Sequence, residues 1–270
     1  MAERDFGSVP ITTPREQSCV PRRMQSTDTA CCFTPAGAPP DQPDLAIYSQ
    51  EEQFTLGIAP SWDNPDILTS LSNPLRLLPE SIVTVRNLSL TASAVNGQVL
   101  FSLSAFGIGQ PRALLASQFV TLAPSQQISL SFPLPQAIVH AAEQRIAVSV
   151  RLVHPYDGND LNNTGSQLID EAFTSKLGRN FSLTFPVVNP SSAAQQISLV
   201  VLPNQLSASV SPSSYSLAPL EQIMATLQIS VPGALHGTSA AALRSDVTIV
   251  GRDGSGKLVN GLTYLVWVDD

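Results

Sequence analysis

The repeated alternation of apolar and polar residues is the feature that most constrains how this chain folds. From Asp44 onward, short apolar runs follow one another and are separated by Pro, Gly, Asn and Ser. In the clearest run, Ile146, Val148 and Val150 fall on one face, while Arg151 falls on the other. A period of two is typical of a strand with one buried and one exposed face. Consecutive strands joined by polar turns predict antiparallel sheets, and therefore a sandwich or a barrel.

These runs form two groups, which we interpret as two tandem Ig-like β-sandwich domains of the all-β class. The first group contains predicted strands at residues 44–48, 82–90, 98–105, 114–122, 126–132 and 145–153. The second group contains predicted strands at residues 181–185, 196–202, 206–210, 222–231, 246–251 and 262–268. About seven strands in about 100 residues suit one such sandwich.

We expect the two domains to span residues 44–172 and 173–270. Near this boundary, residues 167–173 are either the last strand of the first domain or a bridging segment. Residues 135–143 tolerate a helix and fit a single turn or a short crossover.

Residues 1–43 have a different composition, which predicts an extended or disordered proline-rich arm. Prolines occur at positions 10, 14, 21, 35, 39, 40 and 43. Because proline fixes φ and lacks a backbone donor, neither a helix nor a central strand is expected there. The alternative to a disordered segment without a function is an arm that docks on a neighbouring subunit.

The chain's three cysteines, Cys19, Cys31 and Cys32, all lie in this arm. Adjacent cysteines rarely bridge each other without strain, and the three histidines are too distant in sequence for a zinc site of the usual spacing. We expect unstructured or locally packed thiols. A disulfide from Cys19 and metal or lipid chemistry are the alternatives.

Composition excludes some classes of partner. The net charge is -7 and only 13% of residues are charged, against about 25% in ordinary domains. So few cations cannot neutralise a phosphate backbone, and we expect no nucleic-acid partner. The chain contains neither the apolar stretch of a secretory signal nor that of a membrane helix. We therefore expect no membrane span. The protein is expected to be cytoplasmic, to reach export and assembly by a leaderless route, or to be a mature form whose leader was removed.

The first domain contains four short motifs in a characteristic order. They are WDNPDI at 62–67, VTVRN at 83–87, HPYD at 154–157 and NNTGSQ at 162–167. Over residues 44–170 this order resembles CARDB-like bacterial Ig-fold modules, which are adhesion-related β-sandwiches. The chain departs from that pattern at Leu88, where those modules often have Gly or a turn-forming polar residue.

The second domain resembles the NEW3 or ASPM/SPD-2/Hydin style of Ig-like domain. The motifs concerned are VVN at 187–189, VSP at 210–212, SLAP at 216–219 and VP at 231–232. Because these families are mostly structural or binding modules, the resemblance implies a protein without catalytic residues.

Trp62 and Asp66 are the candidate interaction residues. We interpret Trp62 as an anchor packed over one end of the sandwich, with Asp66 hydrogen-bonded to a neighbouring turn. The alternatives for Trp62 are a protein contact, since aromatic residues often anchor interfaces, and carbohydrate stacking.

One segment matches most of a calcium-binding loop. Asp160, Asn162, Thr164, Gly165 and Glu171 fit the EF-hand spacing except that Thr replaces Asp or Asn. Alternating oxygens in such a loop surround a hard cation. A polar turn has the same composition, and the preceding segment is a predicted strand rather than a helix. If calcium is the cofactor, the predicted ligands are Asp157, Asp160, Asn162 and Glu171.

A catalytic function is the least favoured class. His154, Asp157 and Ser166 suggest a triad by residue type, but the chain lacks a G-x-S-x-G elbow and a Gly-rich phosphate loop before a helix. We interpret His154 before Pro155 as a turn residue at a strand end.

The leading hypothesis is a non-catalytic structural or protein-interaction module, a subunit or accessory of a larger bacterial or phage-like surface assembly. Its partners are proteins, including other copies that assemble through the arm or through edge strands. The alternative is an extracellular carbohydrate- or surface-binding accessory domain stabilised by calcium.

Overall fold

The computed structural model describes residues 42–72, 74–140, 145–174, 180–204, 206–231 and 243–268. The described chain is nearly all β, which confirms the predicted fold class. The predicted arm, with its three cysteines, lies outside the described residues apart from its last two positions.

The first sandwich consists of two antiparallel sheets. Its strands are β1 (Leu45–Ala46), β2 (Ile67–Leu71), β3 (Arg76–Asn87), β4 (Ala94–Ala105), β5 (Ala113–Leu122), β6 (Gln127–Pro133), β7 (Ile146–Val153) and β8 (Thr164–Gln167). In one sheet, β3 pairs with β1, β2 and β6, and in the other the order is β5-β4-β7-β8.

The second sandwich also has two sheets. Its strands are β9 (Ile169–Thr174), β10 (Asn180–Val188), β11 (Gln195–Val201), β12 (Ser207–Ser211), β13 (Ser214–Leu217), β14 (Gln222–Ser230), β15 (Leu243–Asp253) and β16 (Leu258–Val268). The sheet orders are β10-β14-β12 and β13-β11-β15-β16-β9. β9 pairs in parallel with β16, so the predicted boundary after residue 172 falls within a strand of the second sandwich.

Each pair of sheets encloses its own apolar core. In the first core, the rings of Phe101 and Phe132 stack with centroids 4.7 Å apart and join the two sheets. In the second core, Tyr264 and Phe185 are fully buried between the sheets. This is the layered packing that alternating strands require.

The two sandwiches are also joined to each other by a loop. Ile108, which follows β4, donates its backbone N–H to the Pro186 carbonyl over 3.0 Å and accepts from Val188 N–H over 2.9 Å. Its side chain is fully buried in the second core. The guanidinium of Arg252 in β15 lies 4.5 Å from the ring centroid of Phe54 in the first sandwich.

In the described ranges, two short α-helices interrupt the strands. α2 (Gln136–Val139) lies in the segment predicted to tolerate a helix. α1 (Gln50–Thr55) was not predicted, although Ser49 caps it by accepting from Glu52 N–H over 3.3 Å. Ser49 and Glu52 have the S-x-x-E spacing of a capping box.

Candidate interaction surface

Two edge strands lie beside each other along one side of the first sandwich. Among the described residues, β5 pairs only with β4 and β6 pairs only with β3. Gln118 connects the two edges, since its Nε2 donates to the Ser131 carbonyl over 2.8 Å. We call residues 113–133 the β5–β6 flank. Each of its strands has one edge without a partner strand in the described part of the chain.

The flank itself contains no charged residue, although the Glu80 carboxylate of β3 accepts a hydrogen bond from Ser131 Oγ at its β6 side. No Asp, Glu, Lys, Arg or His occurs between Ala113 and Val139. Natural edge strands are usually protected from pairing by charged side chains, by proline or by being short. β5 has ten residues and contains neither charge nor proline. Of the features that usually prevent the addition of another strand, it has a bulge at Leu115 but lacks charge, proline and short length.

The alternation of β5 leaves large apolar groups in solvent. Val120 and Leu122 point into the core and are buried, whereas Phe119 is 69% exposed and Leu114 is 63% exposed. Phe119 lies opposite Gln98 of β4. Exposed aromatic residues of this size are typical anchors of protein interfaces.

A bulge changes the edge at Leu115. Ala116 pairs with Phe101 and Leu114 pairs with Ser102, so Leu115 has no counterpart on β4. Bulges of this kind alter the direction of side chains on a strand. Leu115 is 38% exposed at this point.

Trp62, one of the predicted interaction residues, lies in the second core rather than on the surface. It is 1% exposed. Its Nε1 donates to Asn260 Oδ1 over 2.8 Å, and its backbone N–H donates to Thr263 Oγ1 over 3.0 Å. The indole is therefore an anchor between the sandwiches, and neither of its faces is available to a sugar ring.

Asp66, the other predicted interaction residue, is 5% exposed. Its carboxylate accepts two hydrogen bonds from the Arg86 guanidinium and one from Tyr48 N–H over 2.7 Å. A bidentate pair of this kind fixes both side chains. Asp66 thus holds the turn after Trp62 against β3.

The residues of the predicted calcium loop have local partners. Asp157 accepts from Leu45 N–H and Asn159 N–H, each over 3.1 Å. Asn162 is buried and its Nδ2 donates to Asp44 Oδ1 over 2.8 Å. Asp160 lies in a short 3-10 helix (Asp160–Asn162) and is exposed. This segment forms a hydrogen-bonded turn that wraps around β1.

Burial dominates the electrostatics of this turn. It raises the pKa of Asp157, an effect opposed by the hydrogen bonds from Asn159 and Leu45 and reinforced by the Asp44 carboxylate. Burial also raises the pKa of Asp44, while the hydrogen bond from Asn162 lowers it.

Glu171 lies in a different element from the other predicted ligands. It belongs to β9, and its Oε1 accepts from Trp267 Nε1 over 3.1 Å. Among the described residues, no three His, Cys, Asp or Glu side chains are grouped so that they could hold a metal ion. The calcium interpretation stays a prediction.

The side chains considered as a triad bind elsewhere. His154 Nε2 lies 3.2 Å from the Val95 carbonyl oxygen, and Ser166 Oγ donates to Ser149 Oγ over 3.4 Å. Asp157 is occupied by the backbone contacts of the turn. Among the described residues, no helix has the length and apolar character needed to cross a membrane.

No family model matches the chain, and no curated protein matches it. Several solved structures are similar to it. One is a protein of unknown function from Porphyromonas gingivalis W83, with 12% identity, coverage of 71% of this chain and 91% of that chain, and a TM-score of 0.25. Another is the CupB6 tip adhesin from Pseudomonas aeruginosa, with 7% identity, coverage of 70% and 90%, and a TM-score of 0.22.

A third is the calcium binding domain CBD12 of CALX1.1, with 12% identity, coverage of 64% of this chain and 75% of that chain, and a TM-score of 0.20. Scores this low support no transfer of function from any of the three proteins.

Proposed function

We propose that this protein is a non-catalytic protein-interaction module that binds an extended segment of another polypeptide at the β5–β6 flank. The observation that carries the proposal is an uncharged, ten-residue edge strand that exposes Phe119 and Leu114. Such an edge is a ready template for pairing with another chain.

Binding at this flank uses strand addition. The free backbone groups of β5 hydrogen-bond to the incoming segment, which supplies affinity without regard to sequence. The exposed side chains supply selectivity, because alternate residues of the added strand lie beside Phe119 and Leu114. Covering an aromatic side chain of this size removes on the order of 150 Å² from water.

The chemistry of the flank defines the segment that it accepts. A charged residue facing Phe119 would lose hydration without gaining a counter-charge, since the flank has none. The preferred segment is therefore extended, free of charge where it faces the flank, and rich in β-branched or aromatic residues.

We place this binding activity in a larger bacterial or phage-like surface assembly, of which the chain is a subunit or accessory. The resemblance of residues 44–170 to adhesion-related CARDB-like modules supports this placement. The proline-rich arm is a second candidate contact in the same assembly.

Selection of peptides on the immobilised full-length protein tests the proposal. A random peptide library should yield extended, uncharged, β-prone sequences that bind the wild type and lose at least about tenfold in affinity for Phe119→Lys. Met224→Lys is the matched control, because Met224 is an exposed strand residue of the second sandwich at 55% exposure.

Both variants replace solvent-exposed side chains, and unchanged thermal unfolding establishes that each is folded. Enriched peptides that bind wild type and Phe119→Lys equally would contradict the proposal. So would a library that yields no specific binder.

A further inference from the structure

We infer that the second sandwich folds only on the surface of the first, whereas the first sandwich folds without the second. In the described part of the chain, every buried residue of the first core lies between Leu45 and Leu152. The second core also contains buried side chains that the first sandwich supplies, namely Trp62, Phe106, Ile108 and Ala147. The dependence between the two cores is therefore one-sided.

The segment that follows β4, residues 106–110, carries the first sandwich into the second, and we call it the strap. It runs along β10, where the Ile108 backbone exchanges hydrogen bonds with Pro186 and Val188. Gly109 permits this close approach, since its φ is +72° and a Cβ there would overlap the Val188 carbonyl oxygen. The strap thus lies against the second sandwich without room for a side chain at Gly109.

The first sandwich also holds the β15–β16 pair on both faces. Gly251 pairs with Asn260, the neighbour of Gly261, so the two glycines face opposite sides of the sheet. A Cβ on Gly251 would lie 2.6 Å from Ile108 Cγ2, and one on Gly261 would overlap the Trp62 indole. Ile108 and Trp62 therefore fit against opposite faces of the same two strands.

Loss of these contacts has unequal consequences for the two cores. Without the first sandwich, the second core would lack Trp62 and Ile108, which are 1% and 0% exposed. Cavities of that size destabilise a core strongly, and domains have little stability to spare. The first core keeps all its buried members when the second unfolds, including the stacked pair of Phe101 and Phe132. The order of the chain suits this dependence, because N-terminal units fold first during synthesis.

Hydrogen exchange of the full chain in increasing urea tests the dependence, since it follows each sandwich separately. The amides of β3 report on the first sandwich, and those of β14 report on the second. In the wild type, β14 should lose protection at the same urea concentration as β3 or at a lower one.

Substitutions in the strap should act on the other sandwich. Ile108→Ala and Gly109→Ala should each lower the urea midpoint of β14 by about 1 M or more, and β3 should remain protected after β14 has exchanged. Gly57→Ala is the matched control for Gly109→Ala, because Gly57 has a φ of +73° and no atom lies within 4 Å of the added Cβ. It brings the same backbone strain without a clash, so it should not separate the two midpoints.

Phe101→Leu tests the dependence from the other side, because it weakens the first core without emptying it. In this variant too, β14 should never outlast β3. Any variant in which β14 stays protected after β3 has exchanged would overturn the inference. Strap variants that leave the midpoint of β14 unchanged, or that lower both midpoints equally, would also overturn it.

Discussion

The indole ring of Trp62 lies directly against the Cα of Gly261 in β16. A Cβ on that glycine would overlap the indole, and it would also lie 2.5 Å from the Ile249 carbonyl oxygen. A tryptophan in the segment between α1 and β2 of the first sandwich thus fills the core of the second. The glycine is needed because no side chain fits between the indole and the strand.

Gly261→Ala should therefore destabilise the protein by about 1–3 kcal/mol, the usual cost of overpacking a filled core. Trp62→Ala should cost about 3–5 kcal/mol, because it leaves a large cavity. The two losses should not add, since removing the indole frees much of the space that the new methyl group needs. Urea unfolding of the single and double variants measures this coupling.

Gly254→Ala is the matched control for this cycle. Its nearest neighbour would be Gln196 Cβ at 3.9 Å, so the change should be nearly neutral. Fully additive losses for Trp62→Ala and Gly261→Ala would contradict the contact described here.

The free energy of unfolding should depend on pH through the ionisation of the buried Asp44 carboxyl. Burial raises the pKa of Asp44 above its ordinary value of 3.8, while its hydrogen bond from Asn162 opposes that rise. A raised pKa means that the folded state binds the proton more tightly than the unfolded state. The free energy of unfolding then falls as the pH rises from the ordinary pKa through the folded one.

Asp44→Asn should remove this loss and keep the hydrogen bond, because its Oδ1 still accepts from Asn162. The variant should gain stability relative to the wild type as the pH rises from about 4 to about 7. Asp160→Asn, an exposed change in the neighbouring turn, is the control. Parallel pH profiles for Asp44→Asn and the wild type would show that Asp44 does not titrate in this way.

Calcium should not stabilise the turn formed by residues 157–163. The Asp157 oxygens already accept backbone hydrogen bonds, and Glu171 contacts Trp267 in another strand. We expect neither calorimetric heat on addition of calcium nor a change in Tm on addition of a chelator. A saturable heat that Asp157→Asn abolishes would support the calcium interpretation instead.

The sequence pattern predicted the strands well where alternation was complete. β7 was placed within one residue of its ends because its apolar residues recur at every second position. β5 was placed equally well, although its exposed face carries Phe119 and Leu114. β2 was missed because it is short and follows Pro65 and a polar turn. β12 was predicted at residues 206–210, close to its observed bounds, whereas the four-residue strand β13 was not predicted.

The candidate site was harder to predict, since it depends on which strands have free edges. The absence of charge between Ala113 and Val139 is visible in the sequence, but it equally suits a central strand. The strand pairing shows that, within the described part of the chain, β5 pairs only with β4 and Phe119 therefore borders an open edge. Likewise, no local pattern places Trp62 beside Gly261, since they lie far apart in the chain.

Amide hydrogen exchange tests the central claim most directly, namely that β5 accepts an added strand. The measurement compares the full chain alone with the chain saturated by a selected peptide. We predict that alternate amides of residues 113–122 become protected, since one row of backbone groups gains partners. Amides of β14 should not change. Protection that appears elsewhere and leaves residues 113–122 unchanged would contradict the account.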